Sequence, residues 1–457
     1  MLSHPAAPVA PPSAAAGYSP GAVFARHRVL VFVGVVFLCR LVAANVIVPP
    51  WQGPDEPTHF ALAKLTMPAD AIESARVVEI EGQILQSMRR HDWWLHYDRP
   101  TPVPFPASFA DVPNDLFRGT ADQPAYYQMA GVILRVAADE ASVEDQYFAL
   151  RTLSVVLTLL TMVFGWLGTR AWFDERIAAA AVAIVALHPQ FLLSAISVNP
   201  DALINCCGAF VWWQVTRLRD RRQGHRAVTV ALLCGACIVA ALSKRNGLPL
   251  VLLAAAGGVV VGAFDGRRNL LLAGFVCALV VGAGATLAYA GGPGAASLQR
   301  LVTYWTSVFR PGEVDVSASR FVQFGSAAVD TAWLTAGWLR FPPPAWWSWT
   351  ARILTVLGIA GIIPAVIARR RSALAAFSFV AIHVGSLLLV AFIAGSAPQG
   401  RYLFAVLFPA AALLLCGMRR WLGPALGEAR AIATTVGVVG VLDFTGFLLV
   451  LLPAYAH

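Results

Sequence analysis

The chain has 457 residues, of which 58% are hydrophobic and 13% charged, against about 25% charged in a soluble domain. That balance excludes an ordinary soluble globule. Apolar runs of roughly 20 residues, the length a helix needs to cross hydrocarbon, recur throughout and predict an all-α, polytopic transmembrane bundle. The net charge of +9 does not point to nucleic acid, because the basic residues gather in short loops in the positive-inside pattern.

All seven cysteines (39, 206, 207, 234, 237, 277, 416) lie in apolar segments, which argues against a disulfide framework. Cys234-x-x-Cys237 reads as packed thiols in a helix rather than a redox pair. Residues 1–28 form a cytoplasmic tail whose first 20 are Ala/Pro/Ser-rich and predicted to be disordered. No cleavable signal peptide is evident. Residues 29–457 make one transmembrane domain of about eleven spans.

Arg26, His27 and Arg28 precede the first span, about 29–48, and place the N-terminus in the cytoplasm. Arg40, near the outer end of that span, either snorkels or faces a polar cavity. Residues 49–147 are then extracytoplasmic. Val77, Ile80, Ile84 and Met88 recur at helical spacing between Arg76, Glu79 and Glu81, which predicts an amphipathic helix on the membrane surface. Trp93-Trp94 follow as interface anchors. Residues 100–113 are a Pro-rich loop. Residues 125–137 are too short to span and predict a surface or re-entrant helix before the acidic loop of Asp139, Glu140, Glu144 and Asp145.

Charged loops order the rest. Spans at about 148–170, 177–196, 200–217, 227–243, 247–264 and 269–290 alternate inward and outward. A second extracytoplasmic segment, 291–345, carries Tyr304, Trp305, Arg310, Trp333, Trp338 and Arg340. Further spans lie at about 346–367, 373–395, 402–417 and 431–452.

The stretch Pro49-Pro50-Trp51-Gln52-Gly53-Pro54-Asp55-Glu56-Pro57-Thr58-His59-Phe60 sets two adjacent carboxylates where the chain leaves the first span. Its prolines deny a regular helix until after Glu56. The pair reads as a helix start, or one carboxylate is a general base that activates an acceptor hydroxyl for attack on a sugar C1. With a lipid phosphate as leaving group no paired acid is needed, in contrast to glycoside hydrolysis. His59 shares a helix face with Asp55. Together they could supply part of a divalent-metal site, for which two ligands are a weak signal; a hydrogen-bonded histidine is the simpler reading.

Arg151, Lys244, Arg245 and Arg401 break the positive-inside pattern at external helix ends. A phosphate at the outer leaflet would compensate all four; snorkelling or pairing with loop carboxylates would do so singly. Asn199-Pro200-Asp201 opens a span as a capped start or as a second acidic contact to substrate. Gln399-Gly400-Arg401-Tyr402 is a glycine turn that either holds an interface tyrosine or clamps a donor. Tyr126, Tyr127, Trp305, Trp338, Trp346 and Trp347 stack on sugars or, more commonly, form an aromatic belt. No phosphate-binding P-loop, HExxH or nucleophile elbow is present, which argues against an ATP-driven pump or a serine hydrolase.

These motifs give the chain a resemblance to the GT-C superfamily of integral-membrane glycosyltransferases. It looks most like an uncharacterised bacterial membrane-protein family within it, associated with cell-surface polysaccharides. The resemblance rests on Pro54 to Phe60, Gln123-Pro124-Ala125-Tyr126-Tyr127, Ala149 to Leu153 around Arg151, His188-Pro189-Gln190-Phe191 through Asp201, Ser243 to Gly247, and Gln399 to Tyr402. It implies a polyprenyl-phosphate-linked sugar as donor, a glycan or lipid-linked acceptor, an inner-membrane location and an extracytoplasmic site. Its base would be Asp55, with Glu56 second, and His59, Tyr127, Asp201, Gln399 and Tyr402 would contact substrate. Divalent-metal use varies in the superfamily. The rival expectations are a flippase for lipid-linked saccharide, which would favour internal repeats that are not evident here, and a non-catalytic partner in polysaccharide export.

Overall fold

The computed structural model describes residues 20–66, 74–97, 99–112, 124–137, 140–218, 226–244, 247–265, 318–368, 370–394 and 399–455. The expected span at 269–290, together with Arg245, Tyr304, Trp305, Arg310 and most of the N-terminal tail, lies outside these residues.

The described chain is helical, as an apolar sequence in lipid must be to satisfy its own backbone. The helices are α1 (Pro20–Ile47), α2 (Glu56–Leu65), α3 (Ser74–Arg90), α4 (Trp93–His96), α5 (Pro124–Ala137), α6 (Val143–Trp172), α7 (Glu175–Ala186), α8 (Pro189–Ala195), α9 (Asp201–Arg217), α10 (Arg226–Ala241) and α11 (Leu248–Asp265). After the undescribed stretch come α12 (Ala318–Trp333), α13 (Ala345–Ile367), α14 (Arg371–Ala394), a 3-10 turn at Gly400–Val406, α15 (Leu407–Leu426), α16 (Glu428–Gly446) and α17 (Leu452–Tyr455).

Six of these segments are long and apolar enough to cross a bilayer, seven if the bent pair α7–α8 counts as one. About eleven were expected over the whole chain, one of them at 269–290, outside the described residues. Pro189 at the start of α8 bends the third expected span by 67°, as proline does when it removes a backbone donor. The fourth, α9, has only 17 residues, nearly all buried, so protein rather than lipid surrounds it. It packs against α6, where Gly168 receives Trp212.

The segment 49–147, expected to lie outside, differs from the sequence reading in a second way. The apolar stripe of α3 (Ile80, Ile84, Leu85, Met88) is buried against α2, α4 and α6 instead of lying on the membrane. Trp93 and Trp94 are buried at 0% and 4% exposure and are not interface anchors. The segment folds as a cap of protein over the bundle, because its polar residues find partners within it: Glu144 accepts from Ser87 and Arg90, and Glu81 from the Phe109 amide. Of the aromatic set, Tyr126, Tyr127 and Trp347 are buried, the Trp338 indole donates to the Trp51 carbonyl, and Trp346 is exposed. None of the six described cysteines is in a disulfide, and Cys237 donates to the Leu250 carbonyl.

Candidate active site

The site is built around the short connection between α1 and α2. Arg151 on α6 donates to the carbonyls of Val48 and Pro49, each at 3.0 Å, and so fixes where the chain leaves the first span. Trp51 follows with φ 71, a conformation that is a genuine outlier for a bulky residue. It is held from every side. Its amide donates to the Tyr147 hydroxyl, its indole to Ser87, and its carbonyl accepts from the indoles of Trp93 and Trp338.

Glu56 anchors the far end of the connection. Its carboxylate is fully buried and accepts the amides of Gly53 at 2.7 Å and Val198 at 2.8 Å. Both oxygens therefore serve the backbone. Asp55, the residue before it, has φ 65 and makes no side-chain cap to α2. Its side chain is 51% exposed. The two adjacent carboxylates thus have different environments: one staples the loop, and the other is presented from it.

Asp55 faces Arg401 across 3.3 Å, although 346 positions separate them. Arg401 is 4% exposed and also approaches Asp201 at 3.2 Å. Asp201 in turn receives the Lys244 ammonium at 2.7 Å. The result is an alternating chain of charge, Asp55, Arg401, Asp201, Lys244, with the Tyr402 ring beneath both cations at 5.6 and 5.0 Å. Four residues singled out at external helix ends or loops are therefore gathered into one cluster. Gln399 opens the same turn. His59, one turn into α2, pairs through Nδ1 with the Tyr127 hydroxyl at 2.8 Å. Burial, with the Lys244 charge adding to it, pushes its imidazole down to about 3. At neutral pH it is an uncharged hydrogen-bonding group.

Arg151 is near this cluster in sequence logic but not in contact. Its terminal nitrogens are committed to the two carbonyls, and its guanidinium stacks on Tyr147 at 4.7 Å. Among the described residues no three His, Cys, Asp or Glu side chains form a metal-ligand set.

The supports of the Arg401 turn were not legible in the sequence. The Gly400 amide donates to Thr331 of α12, and His383 of α14 pairs with the Tyr402 carbonyl. Gly400 itself lies so close to α12 that a Cβ would sit 2.0 Å from the Ala332 nitrogen. A lone histidine in an apolar helix such as α14 was the available signal, since polar groups within spans seek internal partners.

Residues 37–409 match the family model described as "Predicted membrane protein (DUF2142)". The chain belongs to this family. Its fold is similar to that of the oligosaccharyltransferase of Archaeoglobus fulgidus. Against that enzyme tethered to an acceptor peptide containing the NVT sequon, the TM-score is 0.52 at 15% identity, over 93% of this chain and 55% of that one. Against the same organism's AglB in complex with an inhibitory peptide and a dolichol-phosphate, the TM-score is 0.47 at 15% identity, over 92% and 56%. This DUF2142 member thus spans a little over half the length of that enzyme. Among curated proteins nothing matches.

Proposed function

We propose that this membrane protein is a glycosyltransferase that moves a sugar from a polyprenyl-phosphate donor to an acceptor hydroxyl on the extracytoplasmic side, in cell-surface polysaccharide or glycoconjugate synthesis. One observation carries the reading. An exposed carboxylate, held in a left-handed conformation directly after the first span, faces a buried arginine that an acid–lysine pair backs. The oligosaccharyltransferase-like fold supports it.

In this reading Asp55 takes the proton of the acceptor hydroxyl, the oxygen attacks C1, and the bond from C1 to the phosphate oxygen breaks with its electron pair going to the lipid phosphate. Lys244 and Arg401 present cations to that developing charge, with Arg245 the expected neighbour of Lys244. Asp201 holds the two cations in place, while His59, Tyr127, Gln399 and Tyr402 line the approach. The glycan or lipid-linked acceptor enters over the capping helices, and the inner membrane supplies the donor.

The test is transfer from a synthetic polyprenyl-phosphate sugar by protein reconstituted in vesicles. Asp55→Asn should retain folded yield and lose at least about 100-fold in rate, the scale of a general base. Wild-type rates in Asp55→Asn would sink the assignment. Lipid translocation without sugar transfer would favour the flippase instead.

A further inference from the structure

A separate polar cavity lies behind the loop that carries Asp55. Its walls include Gln52, Arg151, Ser194, Asn199, Thr335 and Arg401. Its volume is about 30 Å³, enough for two or three water-sized groups at roughly 10–15 Å³ each. Of the alternating cluster, only Arg401 contributes to these walls; Asp55, Asp201, Lys244 and Tyr402 do not.

Its polar lining is unusual. Gln52, Arg151, Ser194 and Asn199 are 2%, 2%, 6% and 1% exposed. Yet both amide atoms of Gln52, Nε of Arg151, Oγ of Ser194 and Nδ2 of Asn199 have no hydrogen-bond partner among the described residues. Native proteins pair nearly all such groups, so a concentration of orphans around one void marks the place of a polar ligand.

The charge selects its kind. Two guanidiniums and no carboxylate line the cavity. Arg401 is compensated by Asp55 and Asp201, whereas Arg151 has carbonyls and aromatic rings but no carboxylate partner among the described residues. A buried guanidinium without a counter-charge calls for an anion. The free donors come from four places, the loop before α2, α6, α8 and the connection before α9. Four donors around a small void suit a tetrahedral oxyanion better than a planar one.

We propose that this cavity is a second anion subsite, adjoining the cluster at Asp55 and sharing Arg401 with it, which binds one phosphate-type oxyanion, either the free ion or the phosphate end of a lipid. It stands whether or not the protein transfers sugar.

The full chain in nanodiscs should show saturable stabilisation by inorganic phosphate, read as the thermal midpoint against a chloride control of equal ionic strength. A short-chain alkyl phosphate titrated in parallel identifies the source: tighter binding than the free ion means a lipid headgroup, weaker binding means free phosphate. Gln52→Glu and Asn199→Asp keep side-chain size, and the second keeps the oxygen that accepts the Asp201 amide. Each adds a carboxylate to the cavity that Arg151 also lines and should weaken phosphate binding by about tenfold or more. Asp55→Asn removes a carboxylate from Arg401 and should not weaken phosphate binding even where it abolishes transfer, which separates this proposal from the catalytic one. If Gln52→Glu does not fold, Asn199→Asp decides. Absence of a saturable phosphate response in the wild type, or equal affinity in wild type and either folded variant, overturns the subsite.

Discussion

Adjacent carboxylates of nearly identical chemistry acquire opposite roles here through their surroundings alone. Glu56 has both oxygens on backbone amides, so Glu56→Gln leaves only one acceptor and turns an amide donor toward the other N–H. We expect a loss of about 1–3 kcal/mol, seen as a lower thermal midpoint and reduced folded yield. Asp55→Asn should leave both readouts near wild type. Sequence spacing brought attention to the pair but had no means of ranking its members, because the Val198 amide that claims Glu56 lies 142 positions away.

His59 offers a pH test. It titrates at about 3 in the folded protein and near about 6.5 in an unfolded chain. Between those values the unfolded state holds one proton more, so stability falls as pH drops from about 6.5 toward 3, by at most about 1.4 kcal/mol per pH unit. His59→Gln keeps a partner for Tyr127 and should flatten the dependence of the thermal midpoint between about pH 5 and 6.5. An unchanged slope would assign the effect to other groups.

At the scale of elements, close helix approaches hold the site together. A Cβ on Gly400 would meet the Ala332 nitrogen at 2.0 Å and the Ala328 oxygen at 2.2 Å, and neither backbone atom can rotate aside. Gly400→Ala should therefore push the 3-10 turn off α12, carry Arg401 away from Asp55 and abolish transfer. Remote from the site, α13 and α15 cross through Gly358, Gly361 and Gly417, with the Gly358 oxygen 2.0 Å from a Cβ at Gly417. This is the small-residue contact that lets helices associate in lipid. Gly417→Ala should lower the thermal midpoint, and folded protein that survives should keep its specific activity. Helix periodicity found α3 but misjudged what covers it. An amphipathic stripe reports that something apolar lies opposite, and lipid and protein are equally apolar. The bend at Pro189 was likewise visible as a residue, while its 67° outcome depended on the packing of α8 against α1 and the Arg401 turn.

For the whole molecule, topology is the decisive quantity. The loop charges predict that the capping helices and the Asp55 cluster lie outside, with Arg176 inside. In a background lacking the exposed Cys39, Ala107→Cys should react with an impermeant thiol reagent on intact cells. Arg176→Cys should react only after permeabilisation. The reverse pattern would remove the extracytoplasmic site. Composition made the bundle legible, the charge rule supplied Lys244 and Arg401, and motifs at the ends of spans supplied Asp55 and Asp201. None of these revealed their pairing, since contacts across hundreds of residues leave no local pattern. Arg151 shows the limit: its position at a helix end marked it as a cation, but not that two of its nitrogens would brace the loop through carbonyls while the residue also lines the cavity behind that loop.

One contact bears on how such a chain is made. Arg40 on α1 reaches the Ala186 carbonyl and the carboxylate of Asp443 on α16, 403 positions later. A guanidinium is costly in hydrocarbon until it finds its partner, so α1 enters the bilayer well before the carboxylate of α16 that will neutralise it has been made. Until then the Ala186 carbonyl of α7 is the partner available to it, and the ion pair closes only when α16 arrives. Asp443→Asn should accordingly yield chains that insert normally but are cleared by membrane proteases, with pulse-chase half-lives well below those of the parent.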